Sequence, residues 1–488
     1  MLGKAFLVPH TAPPNRPKRN TMTTFPRIIL AGLSGGSGKT FVSIGLCRAL
    51  SRRGYRVQPF KKGPDYIDAS WLTHAARQTA CNLDPFLLQR ETIAALFRER
   101  AAGADLSLIE GNRGLFDGKD REGTCSTAEL ARQLGAPVVL VLDATKMTRT
   151  AAAIVAGCRN FEPGLTLAGV ILNRTAGERH RAILRQCIEE LAGVPVLGCL
   201  PKMADNPIPE RHMGLVSGQE HAGREAALEA IADVVERAVD IDRLLVAARN
   251  VEPPAQAAPG PWPASVLSDA AQSGPVIGYV HDAALWFYYP ENLEALERAG
   301  ASLHKVSLLS SEPWPELDGL YLGGGFPETQ AQALSANVQT RARVRSLARA
   351  GLPIYAECGG FMYLCEALCL PEGSHELAGV FPLSTRLCPR PQGLGYVEAL
   401  VEAENPFHPL GVHLTGHEFH YSACTEPSRP EDMPPLSLNM LRGHGMLAGR
   451  DGLLKGRTFA SYTHIHALGT PHWAPAFVRA ALAFKQGR

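Results

Sequence analysis

Short apolar segments alternate with longer segments of helical spacing along the first half of the chain. The apolar segments are rich in Val, Ile and Leu and predict six strands, at residues 27–31, 55–60, 106–109, 138–142, 167–172 and 194–197. Ser126 followed by Glu129 matches a capping box and predicts a helix over 127–134, and a longer helix is predicted over about 219–247. This alternation indicates a parallel sheet covered by helices on both faces.

The alternation stops and then restarts in the second half of the chain. Residues 251–274 are rich in Pro, Ala, Ser and Gly, as linkers are, and strand-like segments resume at 276–280, 320–322 and 353–356. Four prolines within residues 1–20 indicate a disordered extension, or a start at Met22. We therefore predict an α/β protein with two domains, at residues 26–248 and 275–488, preceded by an extension at 1–25 and joined by a linker at 249–274.

A glycine-rich loop connects the first predicted strand to the first helix. Its sequence, GLSGGSGKT at residues 32–40, lets backbone N–H groups turn toward an anion at the start of a helix. Leu33 occupies the first position of the pattern G-x-x-x-x-G-K-[ST], and the glycine comes one residue earlier. A flexible turn without a ligand is the alternative. We interpret the segment as a phosphate-binding loop, whose contacts come from Gly35, Gly36, Ser37, Gly38, Lys39 and Thr40.

Polar side chains follow four of the later strands, where the carboxyl ends of parallel strands share one edge. They are Lys61, Lys62, Asp65, Glu110, Asp143 and Asn173. Asp65 and Glu110, together with the Thr40 hydroxyl, are hard oxygen ligands that suit Mg²⁺. Lys61 suits a phosphate or a substrate carboxylate, and the amide of Asn173 suits a nucleotide base.

Cys358 lies between a predicted strand and a predicted helix in the segment YAECGGFMYL. This layout is typical of a nucleophile elbow, with Ala356 in place of the usual glycine. We expect the helix N-terminus to lower the pKa of the thiol. Backbone N–H groups of three glycines are candidates for an oxyanion hole, namely Gly324, Gly325 and Gly359.

A base for Cys358 is available in the late segment FASYTHIH, residues 459–466, which reads as one strand. Alternation along a strand places His464 and His466 on the same face. We predict His464 as the base, with His466 as the alternative.

The other cysteines show no C-x-x-C spacing, so they do not support a metal site, and we interpret them as reduced residues of a cytoplasmic protein.

Charge and hydropathy argue against binding to nucleic acid or to a membrane. Lys and Arg number 49 against 47 Asp and Glu, so the balance does not favour nucleic acid or an anionic membrane surface. No run of 18 apolar residues occurs, which excludes a membrane-spanning helix at the level of sequence.

Taken together, these segments resemble the cobyrinic acid a,c-diamide synthases, which are glutamine-dependent amidotransferases of corrinoid biosynthesis. The resemblance runs from about residue 27 to 473, and the order and spacing of the motifs agree. In the dethiobiotin-synthetase-like branch, to which that family belongs, the first loop position varies. The similar segments are 34–40, 60–68, 110–118, 208–215, 321–328, 356–360, 416–422 and 461–466.

The resemblance implies that the first domain binds ATP and Mg²⁺ and phosphorylates a carboxylate of a tetrapyrrole. Ammonia then displaces phosphate, and the a- and c-acetate groups of cobyrinic acid are amidated in turn. The second domain looks like a class I glutamine amidotransferase, in which Cys358 attacks L-glutamine with His464 as base. Substrate contacts are expected from Lys61, Tyr66, Asn112 and His212, and a homodimer is expected.

Several points stay open at the level of sequence. Many class I relatives have a glutamate two residues after the histidine, but His466 stands there, so the third triad member is unassigned. His281 and the pair Asn112 and Arg113 depart from the expected pattern, so hydrogenobyrinic acid and a nickel sirohydrochlorin are alternative substrates. A cobyric acid synthase-like enzyme is a further alternative. The last is a regulatory P-loop ATPase, although Ser34 stands where such ATPases carry a lysine.

Overall fold

The computed structural model describes residues 24–203, 207–208, 210–211, 214–215, 221, 223–252, 260–263, 274–425 and 430–487. Contacts divide the chain into two compact units: Met1–Ala80 with Phe97–Ala257, and Cys81–Leu96 with Ala258–Arg488. Strands and helices are mixed in both units, so the predicted α/β fold class with two domains is confirmed. Most of the predicted extension and linker lies outside the described residues, and the linear domain boundaries stay a prediction.

The first seven strands form one sheet in the order β3-β2-β4-β1-β5-β6-β7. The pairs β2–β4, β4–β1, β1–β5, β5–β6 and β6–β7 are parallel, as predicted. All six predicted strands are present, with ends shifted by a few residues. The strands of this half are β1 Arg27–Gly32, β2 Val57–Lys62, β3 Cys81–Leu83, β4 Leu106–Glu110, β5 Val138–Asp143, β6 Leu167–Thr175 and β7 Val196–Pro201, with a short hairpin of β8 Glu210–Arg211 and β9 Gly214–Leu215.

Helices follow most of these strands. They are α1 Lys39–Arg52, α2 Tyr66–Ala76, α3 Arg90–Ala101, α4 Thr127–Leu134, α5 Arg149–Asn160, α6 Glu178–Cys187, α7 Arg224–Ala238 and α8 Ile241–Arg249. The capping box is confirmed, because the Ser126 hydroxyl accepts from the Glu129 N–H at 3.1 Å. The single helix predicted over 219–247 is wrong, because Val239 has an extended backbone and the Asp240 carboxylate caps a second helix.

The second half contains a ten-stranded sheet in the order β12-β10-β13-β15-β24-β23-β22-β19-β20-β25. Its first five strands pair in parallel, and the pairings from β24 to β25 are antiparallel. The strands of this sheet and of two smaller sheets are β10 Val276–Val280, β11 Leu285–Phe287, β12 Ser302–Val306, β13 Gly319–Leu322, β14 Gly324–Gly325, β15 Ile354–Glu357, β16 Ala367–Leu370, β17 Gly373–Glu376, β18 Ser384–Leu387, β19 Gly393–Val401, β20 His413–His420, β21 Ser422–Thr425, β22 Leu436–Arg442, β23 Arg450–Lys455, β24 Thr458–Ser461 and β25 His464–Ile465.

Five α-helices of this half cover the sheets within the described ranges. They are α9 Pro290–Arg298, α10 Ala331–Ala336, α11 Val338–Arg349, α12 Gly359–Leu364 and α13 Trp473–Gln486. Tyr321, Tyr355 and Trp473 are fully buried or nearly so. Tyr321 contacts the other two rings edge to face, and Tyr355 lies tilted against Trp473. All eleven cysteines are free. Among the described helices, none has the length and apolarity that crossing a bilayer demands.

The single strand predicted over 459–466 is wrong, because the chain leaves the sheet between β24 and β25. The buried carboxylate of Asp451 accepts from the backbone N–H groups of Tyr462 and Thr463, both at 3.1 Å, and from the Thr463 hydroxyl. These N–H groups bind a side chain instead of a neighbouring strand, so the ladder is interrupted. His464 begins a new strand that pairs with His417 on β20.

Candidate active site

The predicted phosphate-binding loop lies between β1 and α1, as the sequence indicates. Gly38 has φ of 95°, a left-handed conformation that favours glycine, and a Cβ there would lie 2.1 Å from Asn173 Nδ2. The Ser37 hydroxyl is buried and has no hydrogen-bond partner among the described residues. The loop backbone is therefore free to curve around an anion at the N-terminus of α1.

Lys39, the first residue of α1, closes this loop. Its Nζ donates to the carbonyl oxygens of Ser34 and Arg113, at 2.8 Å each. Burial, and next the positive charge of Lys61, lower the pKa of Lys39. The ammonium group is thus held in a partly desolvated position where negatively charged phosphate would be favoured.

A buried cluster of charges lies beside the loop. Lys61 Nζ donates to Asp68 Oδ2 at 2.6 Å and to Glu110 Oε1 at 2.8 Å, and the Thr40 hydroxyl donates to Glu110 Oε1 at 2.7 Å. Burial alone would lower the pKa of Lys61, but the two carboxylates raise it, so the ammonium form is held. Burial raises the pKa of Glu110, whereas for Asp68 the ion pair with Lys61 outweighs burial and lowers the pKa.

Glu110 also offers an atom for a cation. Its Oε2 is buried and has no hydrogen-bond partner within the described ranges, although the side chain is fully buried. A buried carboxylate oxygen that accepts no hydrogen bond reduces the stability of the fold unless a bound ligand compensates for the lost hydration. Together with the Thr40 hydroxyl on the other oxygen, this donor set fits the Mg²⁺ predicted from the sequence.

Asp65, which the sequence predicts as a metal ligand, lies beside a second carboxylate, Asp68. Asp65 is the N-cap of α2, where its Oδ1 accepts from the Asp68 N–H at 2.9 Å. Burial, and next the charge of Asp68, raise the pKa of Asp65 to about 7. Asp68 was missed by the sequence reasoning. The sequence offered one indication, because Asp68 comes three residues after Asp65 in the first turn of the helix that follows β2. Its contact with Lys61 is visible only in the structure.

The other predicted nucleotide and substrate residues have different surroundings. Asn173 Nδ2 donates to the carbonyl of Ser37 at 3.0 Å, so this side chain braces the loop, and its contact with a base stays a prediction. Tyr66 opens α2 and is largely buried. Asn112 is partly buried, and its side-chain oxygen accepts from the next backbone N–H at 2.9 Å. His212 lies outside the described residues.

Cys358 occupies a strained turn between β15 and α12, as a nucleophile elbow requires. Its φ is 46° and its ψ is −103°, and its N–H donates to the carbonyl of Ser461 at 2.7 Å. The side chain is only 4% exposed, and its Sγ lies 3.9 Å from the carbonyl of Phe419. Burial raises the pKa of the Cys358 thiol, so the lowered pKa predicted from the sequence is wrong: desolvation outweighs the single N–H contact from Gly359.

The three glycines predicted for the oxyanion hole lie next to the elbow. Gly325 has φ of 156°, and a Cβ on Gly359 would lie 3.0 Å from the Gly325 nitrogen. A Cβ on Gly324 would lie 2.4 Å from His464 Cε1. The structure thus brings His464 and all three glycines into one small region beside Cys358, and the roles of these residues stay predictions.

The two candidate histidines face different carboxylates. His464 Nδ1 lies 3.3 Å from Glu357 Oε2, whereas His466 Nε2 lies 3.6 Å from Glu291 Oε2. His417 stacks on His464 with ring centroids 4.9 Å apart. His466 lies just beyond the end of β25, where its ring packs against Tyr289 with centroids 4.7 Å apart, and a shared face for the two imidazoles stays a prediction.

Glu357 was missed by the sequence reasoning. It is the last residue of β15, directly before Cys358, and it is fully buried. Its Oε2 also accepts from the Tyr321 hydroxyl at 3.3 Å, and its Oε1 accepts from the Ile465 N–H at 3.4 Å. A carboxylate inside an otherwise apolar strand, YAEC, is the signal that was available in the sequence.

Comparison with protein families matches both halves of the chain. Residues 28–216 match a CobQ/CobB/MinD/ParA nucleotide binding domain. Residues 276–472 match a CobB/CobQ-like glutamine amidotransferase domain. The two matches coincide with the halves that hold the phosphate loop and the Cys358 elbow.

Comparison with characterised proteins gives relatives of nearly the same length. Cobyrinate a,c-diamide synthase of Magnetococcus marinus is 42% identical over 93% of this chain and 97% of its own. The enzymes of the same name from Syntrophotalea carbinolica and Archaeoglobus fulgidus are 42% and 39% identical, over 93% and 94% of this chain and 98% of each relative. Identity at this level along almost the whole sequence means that this chain belongs to the cobyrinate a,c-diamide synthase family.

Proposed function

We propose that this protein uses ATP and L-glutamine to convert the a- and c-acetate carboxylates of cobyrinic acid into amides during cobalamin biosynthesis. The observation that carries the proposal is the presence of two sites in one chain. One is a phosphate loop whose Thr40 joins the buried Lys61 and Glu110, and the other is a Cys358 elbow beside His464. The names of the relatives support the same substrate and reaction.

The second unit would release ammonia from glutamine. His464 takes the proton from the Cys358 thiol, and the sulfur attacks the side-chain amide carbon, with the resulting oxyanion near the N–H groups of Gly325 and Gly359. The C–N bond then breaks, and the imidazolium gives its proton to the departing nitrogen, which leaves as ammonia. Water hydrolyses the thioester, returns a proton to the sulfur and releases glutamate. Because burial raises the pKa of Cys358, a base is needed to form the thiolate.

The first unit would activate the substrate carboxylate. A carboxylate oxygen attacks the γ-phosphorus of ATP, the bond to ADP breaks, and an acyl phosphate forms. Ammonia attacks the acyl carbon, phosphate leaves, and the nitrogen loses a proton to give the amide. Lys39 and the loop N–H groups hold the phosphates during this transfer. Mg²⁺ bound through Thr40 and Glu110 would neutralise phosphate charge, with Asp65 as a further predicted ligand.

Several finer points are parts of this proposal and rest on the sequence resemblance. Substrate contacts by Lys61, Tyr66, Asn112 and His212 stay predictions, as do a homodimer and a cytoplasmic location. The eleven free cysteines support a reducing compartment. Hydrogenobyrinic acid, a nickel sirohydrochlorin and cobyric acid synthase-like substrates are alternatives.

A substrate panel tests the proposal. Purified protein is incubated with Mg²⁺, ATP and glutamine together with cobyrinic acid, hydrogenobyrinic acid or nickel sirohydrochlorin, and the products are followed by mass spectrometry. We expect cobyrinic acid to undergo two successive exchanges of a carboxylate hydroxyl for an amino group. Conversion of another macrocycle alone would reassign the substrate.

The Cys358→Ser variant is the matched control in this panel. It should release no ammonia from glutamine, yet it should still form amides when ammonium chloride replaces glutamine. If the unaltered protein releases no ammonia from glutamine and Cys358→Ser changes nothing, the amidotransferase proposal is wrong.

A further inference from the structure

We propose that Glu357 is the carboxylate that orients His464, the task that a glutamate two residues after the histidine has in many class I amidotransferases. This inference rests on the proposed glutaminase function. In this chain the residue at the usual position is His466, which has no carboxylate. Glu357 contacts the same imidazole, but it comes 107 positions before the histidine in the sequence. It is the residue directly before the nucleophile.

The contact has the geometry of an orienting pair. Glu357 Oε2 lies 3.3 Å from Nδ1 of His464, and both side chains are at most 2% exposed. β15 pairs in parallel with β24 through Glu357 and Ser461, and the Ile465 N–H donates to Glu357 Oε1 at 3.4 Å. One carboxylate oxygen therefore faces the imidazole of His464, and the other accepts from the backbone N–H of the next residue, Ile465.

The competing pair, His466 with Glu291, is less suited to this task. The separation of 3.6 Å between His466 Nε2 and Glu291 Oε2 exceeds hydrogen-bonding distance. His466 Nδ1 accepts from the N–H of Leu468 at 3.2 Å, which ties the ring to the turn after β25. His464, in contrast, is the imidazole whose Cε1 lies against Gly324 beside the elbow.

A hydrogen-bond acceptor at Nδ1 determines which nitrogen of the His464 imidazole has the proton. When Nδ1–H donates to Glu357, the lone pair of the neutral imidazole is on Nε2, the nitrogen available to take the thiol proton. The carboxylate then stabilises the imidazolium that forms. Other groups around the pair are the His417 ring on β20, which stacks on His464, and the Tyr321 hydroxyl on β13, which shares Glu357 Oε2.

The Glu357→Gln variant tests the inference, because it keeps the size and removes the charge. We expect kcat for ammonia release from glutamine to fall by about 10² to 10⁴-fold, with KM for glutamine changed little. The acid limb of the kcat/KM profile should move to lower pH, because a neutral amide stabilises the imidazolium less. Glu357→Asp, which keeps the charge on a shorter side chain, should recover part of the rate.

Two controls separate positioning from damage to the fold. Amide formation from ammonium chloride, which does not need the glutaminase, should stay within about threefold in Glu357→Gln. Glu291→Gln, the matched change at the other buried carboxylate and histidine, should leave the pH profile of ammonia release unchanged.

The outcomes are distinct. If Glu357→Gln releases ammonia at the rate and with the pH profile of the unaltered protein, the inference is overturned. The same holds if Glu291→Gln produces the loss and the shift instead. Absence of ammonia release by the unaltered protein would refute the proposed function itself, whatever the variants do.

Discussion

At the residue scale, the buried charges beside the phosphate loop depend on one another. Lys61 is 2% exposed and lies between the carboxylates of Asp68 and Glu110. Removing one partner would leave an uncompensated buried charge, which is generally more destabilising than the pair is stabilising. Asp65 is the exception, because burial and Asp68 favour its protonated form.

Asp65→Asn should therefore raise thermal stability in a manner that depends on pH. The pKa of Asp65 in the folded state, about 7, exceeds the ordinary aspartate value of 3.8, so the folded state binds a proton more tightly between those values. Stability from this group is thus lost as pH rises through that window. Asn keeps the helix cap without a charge, and we expect its gain in Tm to grow by about 2–5 °C between pH 4.5 and 7.5, measured by differential scanning fluorimetry.

Asp68→Asn provides the control with the opposite sign. The ion pair with Lys61 lowers the pKa of Asp68 despite burial, so the carboxylate stabilises the fold at neutral pH, and this contribution is lost as pH falls through the lowered pKa. The variant should be less stable at pH 7.5, with a deficit that shrinks on acidification. If Tm of Asp65→Asn and of the unaltered protein changed with pH in parallel, the prediction for Asp65 would be contradicted.

At the element scale, apolar runs predict where strands begin better than where they end. The prediction ended the second strand at residue 60, but β2 continues through Lys61 and Lys62, both buried. A lysine is usually exposed, and the burial of Lys61 becomes favourable because the carboxylates of Asp68 and Glu110 are brought in from α2 and β4. The phosphate loop and the cysteine elbow were predictable because each is a local strand, turn and helix pattern.

What the sequence did not predict depends on contacts between distant segments. The pairing of Glu357 with His464 spans 107 positions and depends on the register of β15 against β24. The break between β24 and β25 depends on Asp451, a residue of β23. Alternation within one segment contains no information about either contact, so the carboxylate partner of His464 stayed unassigned at the level of sequence.

The N-cap of α4 is a feature of a single element that can be tested. Ser126 Oγ accepts from the Glu129 N–H, so Ser126→Ala should reduce the free energy of unfolding by about 1 kcal/mol. Thr148, at the N-cap of α5, makes no side-chain cap hydrogen bond, and Thr148→Ala should change stability much less. Urea unfolding followed by fluorescence would compare the two, and equal losses would mean that the cap contributes nothing.

At the scale of the whole molecule, the two chemical steps are assigned to separate units. The phosphate loop and its charge cluster lie in the unit of Met1–Ala80 and Phe97–Ala257. The elbow, His464 and Glu357 lie in the unit that contains Ala258–Arg488. Each unit has its own central sheet, so a substitution in one site need not disturb the fold of the other.

Lys39→Ala should therefore separate the two activities. Loss of the ammonium that closes the loop should reduce amide formation at least about 100-fold, whether glutamine or ammonium chloride supplies nitrogen. Ammonia release from glutamine should persist. Product mass and ammonia are measured in the same samples, and Cys358→Ser should show the complementary pattern. Equal loss of both activities in Lys39→Ala would argue against this division.

The backbone at Cys358 has an evolutionary consequence. A φ of 46° with a ψ of −103° costs a side-chain-bearing residue on the order of 1–3 kcal/mol, whereas glycine adopts such angles readily. In a lineage that no longer needed ammonia from glutamine, drift would replace the cysteine by glycine and gain stability. The sequence Glu-Gly-Gly-Gly, starting at the last residue of β15, would then mark descendants that live on free ammonium.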